Sequence, residues 1–220
     1  MNSAAPPREP RRKASPGRPK DPGKRAAILA AATELFVRDG YDGASMDQIA
    51  GAAGVSKLTV YSHFGDKQSL FAEVVQAFCE QALPSGLFDI DPERPLRERL
   101  LALGLAFHEM VMSPEAIAGY RMLCQPGVAG SGFADAFWQA GPERILHGFT
   151  ALLERRMAAG ELQLDDPLAA ASQLVTLLKG EPHACALFGW QCGPVVESPQ
   201  AHVEAAVDLF LRAYAPARAR

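Results

Sequence analysis

The sequence predicts an all-α protein, with a small N-terminal unit of short helices followed by a larger helical region. Apolar residues recur at i, i+3 and i+4 through most of the chain, and the β-branched clusters that would mark successive strands are missing. Glycine and proline are concentrated in the first quarter and in short interruptions between the periodic segments. With 220 residues, 48% of them hydrophobic, the chain can build one or two domains with buried cores.

The first 20 or so residues are rich in Pro, Arg and Lys and have no apolar periodicity, which reads as a disordered arm. Within it Pro16-Gly17-Arg18-Pro19-Lys20 resembles minor-groove arm motifs, where a flat Gly-Arg-Pro track lets Arg18 enter a narrow groove; the plainer reading is a solubilising tail. From Lys24 a stripe of Ile28, Leu29, Ala32, Leu35 and Phe36 marks the first helix, ended by Asp39-Gly40. Ser45 and Gln48 form an S-x-x-Q capping box that opens the second, with Met46, Ile49, Ala50 and Ala53 on one face. Gly54 stands where a positive φ is needed to turn the chain, Val55 anchors the turn, and Ser56 caps a third helix with Val60 and Phe64 inward. Lys57, Leu58, Thr59, Tyr61, Ser62 and His63 are left facing out. Such a face is poorly explained as packing and suits base edges and phosphates.

Asp66 caps a longer helix over residues 67–83, with Leu70, Phe71, Val74, Val75 and Phe78 inward, and Pro84-Ser85-Gly86 closes it. Further helices are expected over 95–112, from Ser113-Pro114 to about 124, through 133–160 with a bend at Gly141-Pro142, from Asp166-Pro167 onward, and from Ser198-Pro199 to about 214. Gly180-Glu181-Pro182 must either end or kink the helix that starts at 167. The expected organisation is an arm over 1–21, a first helical domain over 22–83 and a second over 84–220.

The formal net charge of −3 hides an asymmetry: residues 1–25 hold eight Lys and Arg against Glu9 and Asp21, a net +6, which leaves −9 for the rest. That distribution aims the attraction for polyanions at one end. Apolar runs fall short of the roughly 20 residues a membrane span requires, and no apolar signal core follows the basic N-terminus, so a cytoplasmic protein with no membrane partner is expected. Cys79, Cys124, Cys185 and Cys192 form no C-x-x-C pair and are expected as reduced thiols, with no cofactor or metal. Nucleophile-elbow, zincin, P-loop and dinucleotide fingerprints are absent, which argues against an enzyme. Two other readings use the same residues. His183, Cys185 and Cys192 could serve a metal- or thiol-redox sensor, and the basic arm could belong to an architectural DNA-binding protein without a ligand.

The order helix, capped helix, Gly54-Val55-Ser56 turn, short helix with Val60-Tyr61-Ser62-His63-Phe64, then Asp66-Lys67-x-x-Leu70-Phe71 resembles the DNA-binding domain of the TetR family of bacterial transcriptional regulators, over about residues 24–75. Residues 112–121, 140–144 and 160–167 are similar to the AefR-like subgroup. The resemblance implies base-edge or groove contacts from Lys57, Leu58, Thr59, Tyr61 and His63, and phosphate contacts from Ser45, Ser56, Tyr61 and Lys67. The residue chemistry agrees in part: Lys57 can donate to guanine, the Thr59 methyl can pack on thymine, and Ser45, Ser56 and Lys67 stand at helix starts. Ser45 and Ser56 could equally be caps alone, and His63 could simply cover the helix junction. The resemblance further implies a ligand cavity among the middle helices of the second domain, for which Phe107, Met110, Tyr120, Phe137, Trp138, Phe149 and Phe188 are the candidates. Tyr120 and Trp138 stand out because each has a polar tip to satisfy. It also implies a homodimer formed by the last two helices, for which 168–178 and 203–211 offer apolar faces. Together these imply a repressor that reads a palindromic double-stranded operator and is released by a small apolar or amphipathic inducer.

Overall fold

The computed structural model describes residues 21–88, 94–125, 128, 132–190 and 198–216. Arg18 and the basic arm lie outside them, as does Cys192. Among the described residues the regular structure is entirely helical, with ten α-helices and one short 3-10 turn at Ser85–Leu87.

Helix α1 (Pro22–Gly43) starts two residues before the first lysine of its pattern, because the Asp21 side chain accepts from the backbone N–H groups of Gly23 and Lys24 and proline occupies the first turn. Its helical geometry breaks at Gly40 (φ 74°, ψ 174°), where the sequence pattern stops, and one more turn runs through Tyr41. Helix α2 (Met46–Ala52) carries the full Ser45–Gln48 capping box, with the Gln48 N–H donating to Ser45 Oγ and the Ser45 N–H to Gln48 Oε1. Gly54 adopts φ 65°, and α3 (Lys57–Phe64) follows with only Val60 and Phe64 buried. Helix α4 (Lys67–Ala82) is capped by Asp66, which accepts from the Ser69 N–H. That bond holds the Asp66 carboxyl below the usual carboxylate range.

The larger part comprises α5 (Leu96–Met112), α6 (Pro114–Leu123), α7 (Gly132–Ala140), α8 (Pro142–Ala158), α9 (Pro167–Phe188) and α10 (Pro199–Tyr214). Gly141-Pro142 divides α7 from α8, since proline supplies no N–H to continue α7 and begins α8 instead. Helix α5 runs through the middle, against α4, α6, α9 and α10. Leu100, Leu103 and Phe107 from α5, Phe149, Leu152 and Leu153 from α8, Leu174 and Leu178 from α9, and Val207 and Phe210 from α10 are all almost fully buried. One aromatic cluster joins this body to the N-terminal helices: the Phe133 ring lies 4.1 Å from Tyr41 and 4.6 Å from Phe71, and Phe71 meets Phe36 edge-on at 5.2 Å.

Several expectations change here. The apolar residues of 168–178 and 203–211, expected to meet a partner, are divided: Ala171, Leu174 and Leu178 pack with Val203, Ala206, Val207 and Phe210 inside the protomer, while Leu168 and Leu209 stay exposed. The large apolar side chains left exposed late in the chain are Leu168, Phe188, Trp190 and Leu209. Cys79 and Cys124 are free thiols as expected, whereas Cys185 is disulfide-bonded. No single helix among the described residues is long and apolar enough to cross a membrane.

The break in α9 falls at Gly180 (φ 57°, ψ −168°), and the chain restarts through Pro182 to Phe188. Proline at 182 removes the N–H that would have reached the Leu178 carbonyl. That carbonyl is taken instead by two histidines, His108 Nδ1 at 2.8 Å and His202 Nε2 at 3.1 Å. A carbonyl only accepts, so His108 carries its proton on Nδ1 and His202 on Nε2. His183 is buried edge-on to Tyr120, with its Nε2 lacking a partner. Burial first, then the charge of Lys179 and the proximity of His108, push its pKa down to about 4.

Two outcomes follow from this joint. A Cβ on residue 180 would overlap the His202 ring at a backbone angle that disfavours side chains, so Gly180→Ala should lower unfolding free energy by about 2 kcal/mol or more in denaturant titration. Unfolded His183 binds a proton near the ordinary histidine value of 6.5, whereas folded His183 resists until about 4. Stability should therefore be lost as the pH is lowered from about 6.5 to about 4, and thermal melts of His183→Leu should show a shallower loss over that range than wild type.

Candidate DNA-reading helix and adjoining cavity

Helix α3 presents its outward side chains from a fixed base. The Ser56 Oγ accepts from the Thr59 N–H and shares a hydrogen bond of 2.8 Å with Thr59 Oγ1, while Ser62 Oγ donates to the Thr59 carbonyl. Leu58 is 78% exposed and Tyr61 41%, the two large side chains on the open face. Lys57 Nζ lies 2.7 Å from Asp47 Oδ2, so the cation is bridged back to α2, and Asp47 holds its pKa above the usual lysine value. Both partners of this pair are exposed, and in water such a pair is weak enough to be exchanged for a base or phosphate. Ser45 and Ser56 each serve as a cap.

Two expected contacts have other employment. Lys67 Nζ donates to the carbonyls of Tyr41 at 2.7 Å and Ala44 at 3.0 Å and sits 4.2 Å from the Tyr41 ring centroid. It acts as a strut closing the end of α1 onto the start of α4, not as an open phosphate ligand. His63 is half-buried at the end of α3, its Nδ1 shielded, so it covers the junction with α4 more than it projects outward.

Behind this unit lies a cavity of about 440 Å³ bounded by α1, α4, α5, α6, α7, α8 and α9. Phe107, Met110, Tyr120, Phe137 and Trp138 line it, as the sequence reading expects. The structure places Phe149 and Phe188 elsewhere. Phe149 has no exposed surface and packs between Phe88 at 5.2 Å and Phe107 at 5.9 Å, one turn beyond the α8 residues Ile145 and Leu146 that do face the space. Phe188 lies past the α9 break, 70% exposed and beside Trp190.

The sequence reading missed the walls from the N-terminal helices: Thr33, Phe36, Val37 and Gly40 of α1, and Phe71, Val74, Val75, Phe78 and Cys79 of α4. It also missed Lys179. Burial pushes the Cys79 thiol up to about 11, so it stays protonated. Among the described residues no group of three or more His, Cys, Asp or Glu is placed to hold a metal.

These features agree with three comparisons. Residues 28–74 match the family model of bacterial regulatory proteins of the tetR family, and residues 98–216 match the C-terminal domain of AefR-like transcriptional repressors. Over 100 residues the chain is 35% identical to the transcriptional activator FasR of Mycolicibacterium smegmatis, covering 46% of this chain and 45% of FasR. Over 141 residues it is 30% identical to the regulator SrpR of Pseudomonas putida, covering 64% of each. The matches thus span less than two thirds of these relatives' lengths. Among solved structures, a TetR-family regulator from Mesorhizobium loti superposes with a TM-score of 0.75 at 30% identity, over 88% of this chain and 97% of that one. The flavonoid-responsive regulator FrrA superposes with a TM-score of 0.71 at 31% identity, over 90% and 100%. A DNA-reading helix on a capped three-helix base, an all-helical body behind it and both family matches lead to one conclusion: the chain belongs to the TetR family of bacterial transcriptional regulators, with an AefR-like C-terminal domain.

Proposed function

We propose that the protein is a cytoplasmic, non-enzymatic repressor that binds a palindromic operator as a homodimer and is released by a small apolar or amphipathic molecule. The observation that carries this reading is that α4 serves two masters. Its residues Phe71, Val74, Val75 and Phe78 form a wall of the cavity, while Lys67 in its first turn is bonded to the carbonyls of Tyr41 and Ala44, where α1 ends and α2 begins. A ligand that fits one tilt of α4 better than another biases the placement of α3. Its effect on DNA affinity is limited to its own difference in affinity for the two states. The name of FrrA records a flavonoid response for that relative, which supports a small-molecule signal here. FasR is an activator and the TetR relative of Mycobacteroides abscessus a repressor, so the sign of regulation rests on the match to AefR-like repressors.

In this reading Leu168, Phe188, Trp190 and Leu209 supply the apolar surface that a second copy covers. The twofold axis then sets two α3 helices about 34–36 Å apart, one turn of duplex. Tyr61 and Leu58 give the exposed contact surface, and Lys57 adds a donor once it leaves Asp47.

Selection of random duplexes by the purified protein should return an imperfect palindrome whose binding weakens steeply with salt. No preference for the protein's own upstream region over random duplex would defeat the proposal. Tyr61→Ala should weaken operator binding about tenfold with unchanged thermal stability, by mobility shift and melting respectively. Asp47→Asn frees Lys57 and removes a negative charge from the DNA side, so it should tighten binding to random duplex by several-fold and narrow the gap between operator and random sequence.

A further inference from the structure

A cation that forms no ion pair among the described residues stands in the wall of the cavity. Lys179, half-buried on α9 just before the Gly180 break, donates through Nζ to Tyr120 Oη at 3.2 Å and lies 5.0 Å from the centroid of the same ring. None of the ion pairs among the described residues includes it. The other ionisable groups of the lining are bonded elsewhere, exposed to water or uncharged. Arg121 spends its guanidinium on the carbonyls of Ala186 and Leu187, Glu115 is exposed in the first turn of α6, and Cys79 stays protonated. The neighbouring His183 is neutral. Tyr120 Oη accepts from Lys179, so its own proton remains available to donate. An ammonium and a hydroxyl thus offer a paired polar anchor in a space walled largely by apolar side chains such as Phe71, Val74, Phe107, Met110 and Phe137, with the smaller neutral polar groups of Thr33, Gln125, Ser172 and Thr176. A charge set among apolar side chains is stabilised most by an opposite charge that shares its shelter from water.

We propose that the cavity takes an organic anion, an apolar body carrying one ionised acidic group whose oxygens are bound by Lys179 Nζ and Tyr120 Oη. This rests on the reading of the cavity as the inducer site, and specifies the charge and the anchoring end of what binds there. A neutral molecule of the same shape would leave the ammonium facing the tyrosine ring alone.

Two fluorescent probes with one skeleton separate these cases: 1-anilinonaphthalene-8-sulfonate carries a sulfonate, and N-phenyl-1-naphthylamine lacks it. The full-length protein should bind the sulfonate at least about tenfold more tightly than the neutral probe. Lys179→Met should abolish that preference by weakening the sulfonate about tenfold, leaving the neutral probe within about twofold, which also shows that the cavity is intact. Lys179→Arg should restore most of the preference, and Tyr120→Phe should lose about threefold for the sulfonate alone. If both probes bind wild type equally, or both weaken together in Lys179→Met, the anion assignment falls while the cavity remains a binding site. If neither probe binds wild type, the cavity reading and the anion assignment fall together.

Discussion

The grip of Lys67 on the end of α1 ties together the three elements that carry the DNA-reading helix. One ammonium satisfies two carbonyls that the chain leaves open where α1 breaks and α2 begins, and lies against the Tyr41 ring below. Those bonds add a polar clasp to the apolar packing of Met46, Ile49, Ala50, Val60 and Phe64 that otherwise holds α2 and α3. With the bonds made, the first turn of α4, the end of α1 and the start of α2 move as one piece. Phe133 presses on Tyr41 and Phe71 from α7, and Gln68 donates to the Gly132 carbonyl, so the larger helical body holds that same piece from the other side. The cavity lies between, walled by α4 on one side, which is what the proposed ligand response requires.

The body around the cavity is built from a contest between internal and external burial. Helices α9 and α10 carry more apolar surface than one face can use, and the inner stripe wins: Ala171, Leu174, Leu178, Val203, Val207 and Phe210 close the core against α5 and α8. What remains outside is the sparser set of Leu168, Phe188, Trp190 and Leu209. The break at Gly180 belongs to the same economy. By freeing the Leu178 carbonyl it gives α5 and α10 a shared polar anchor in His108 and His202, inside a region where an unpartnered carbonyl would be costly.

Local chemistry was legible in the sequence, and direction was not. The caps at Ser45, Ser56, Asp66, Ser113, Asp166 and Ser198 could be read because each is a bond between a side chain and its own next turn. The breaks at Gly40 and Gly141-Pro142 were readable for similar reasons. Lys67 at a helix start has the same sequence signature whether it reaches outward to phosphate or inward to carbonyls, and only the position of the α1 end decides. Periodicity showed that Phe149 is buried but not that its neighbours are Phe88 and Phe107 instead of empty space. Lys179 went unnoticed because a lysine on a helix ordinarily reads as a solvated residue, and its closeness to Tyr120 depends on a contact 59 positions apart in sequence.

The pairing of Lys57 with Asp47 bears on how such a protein searches a genome. A reading helix with a bare lysine clings to every phosphate it meets, and each non-specific stop lengthens the search. Here the lysine already has a partner, so touching DNA is an exchange in which one anion replaces another at almost no net gain. In the proposed reading, only a site that also engages Tyr61 and Leu58, and offers Lys57 the two acceptors of a guanine edge, would make the exchange worth holding. On that reading the built-in counter-ion would trade some grip on the true site for short residence everywhere else.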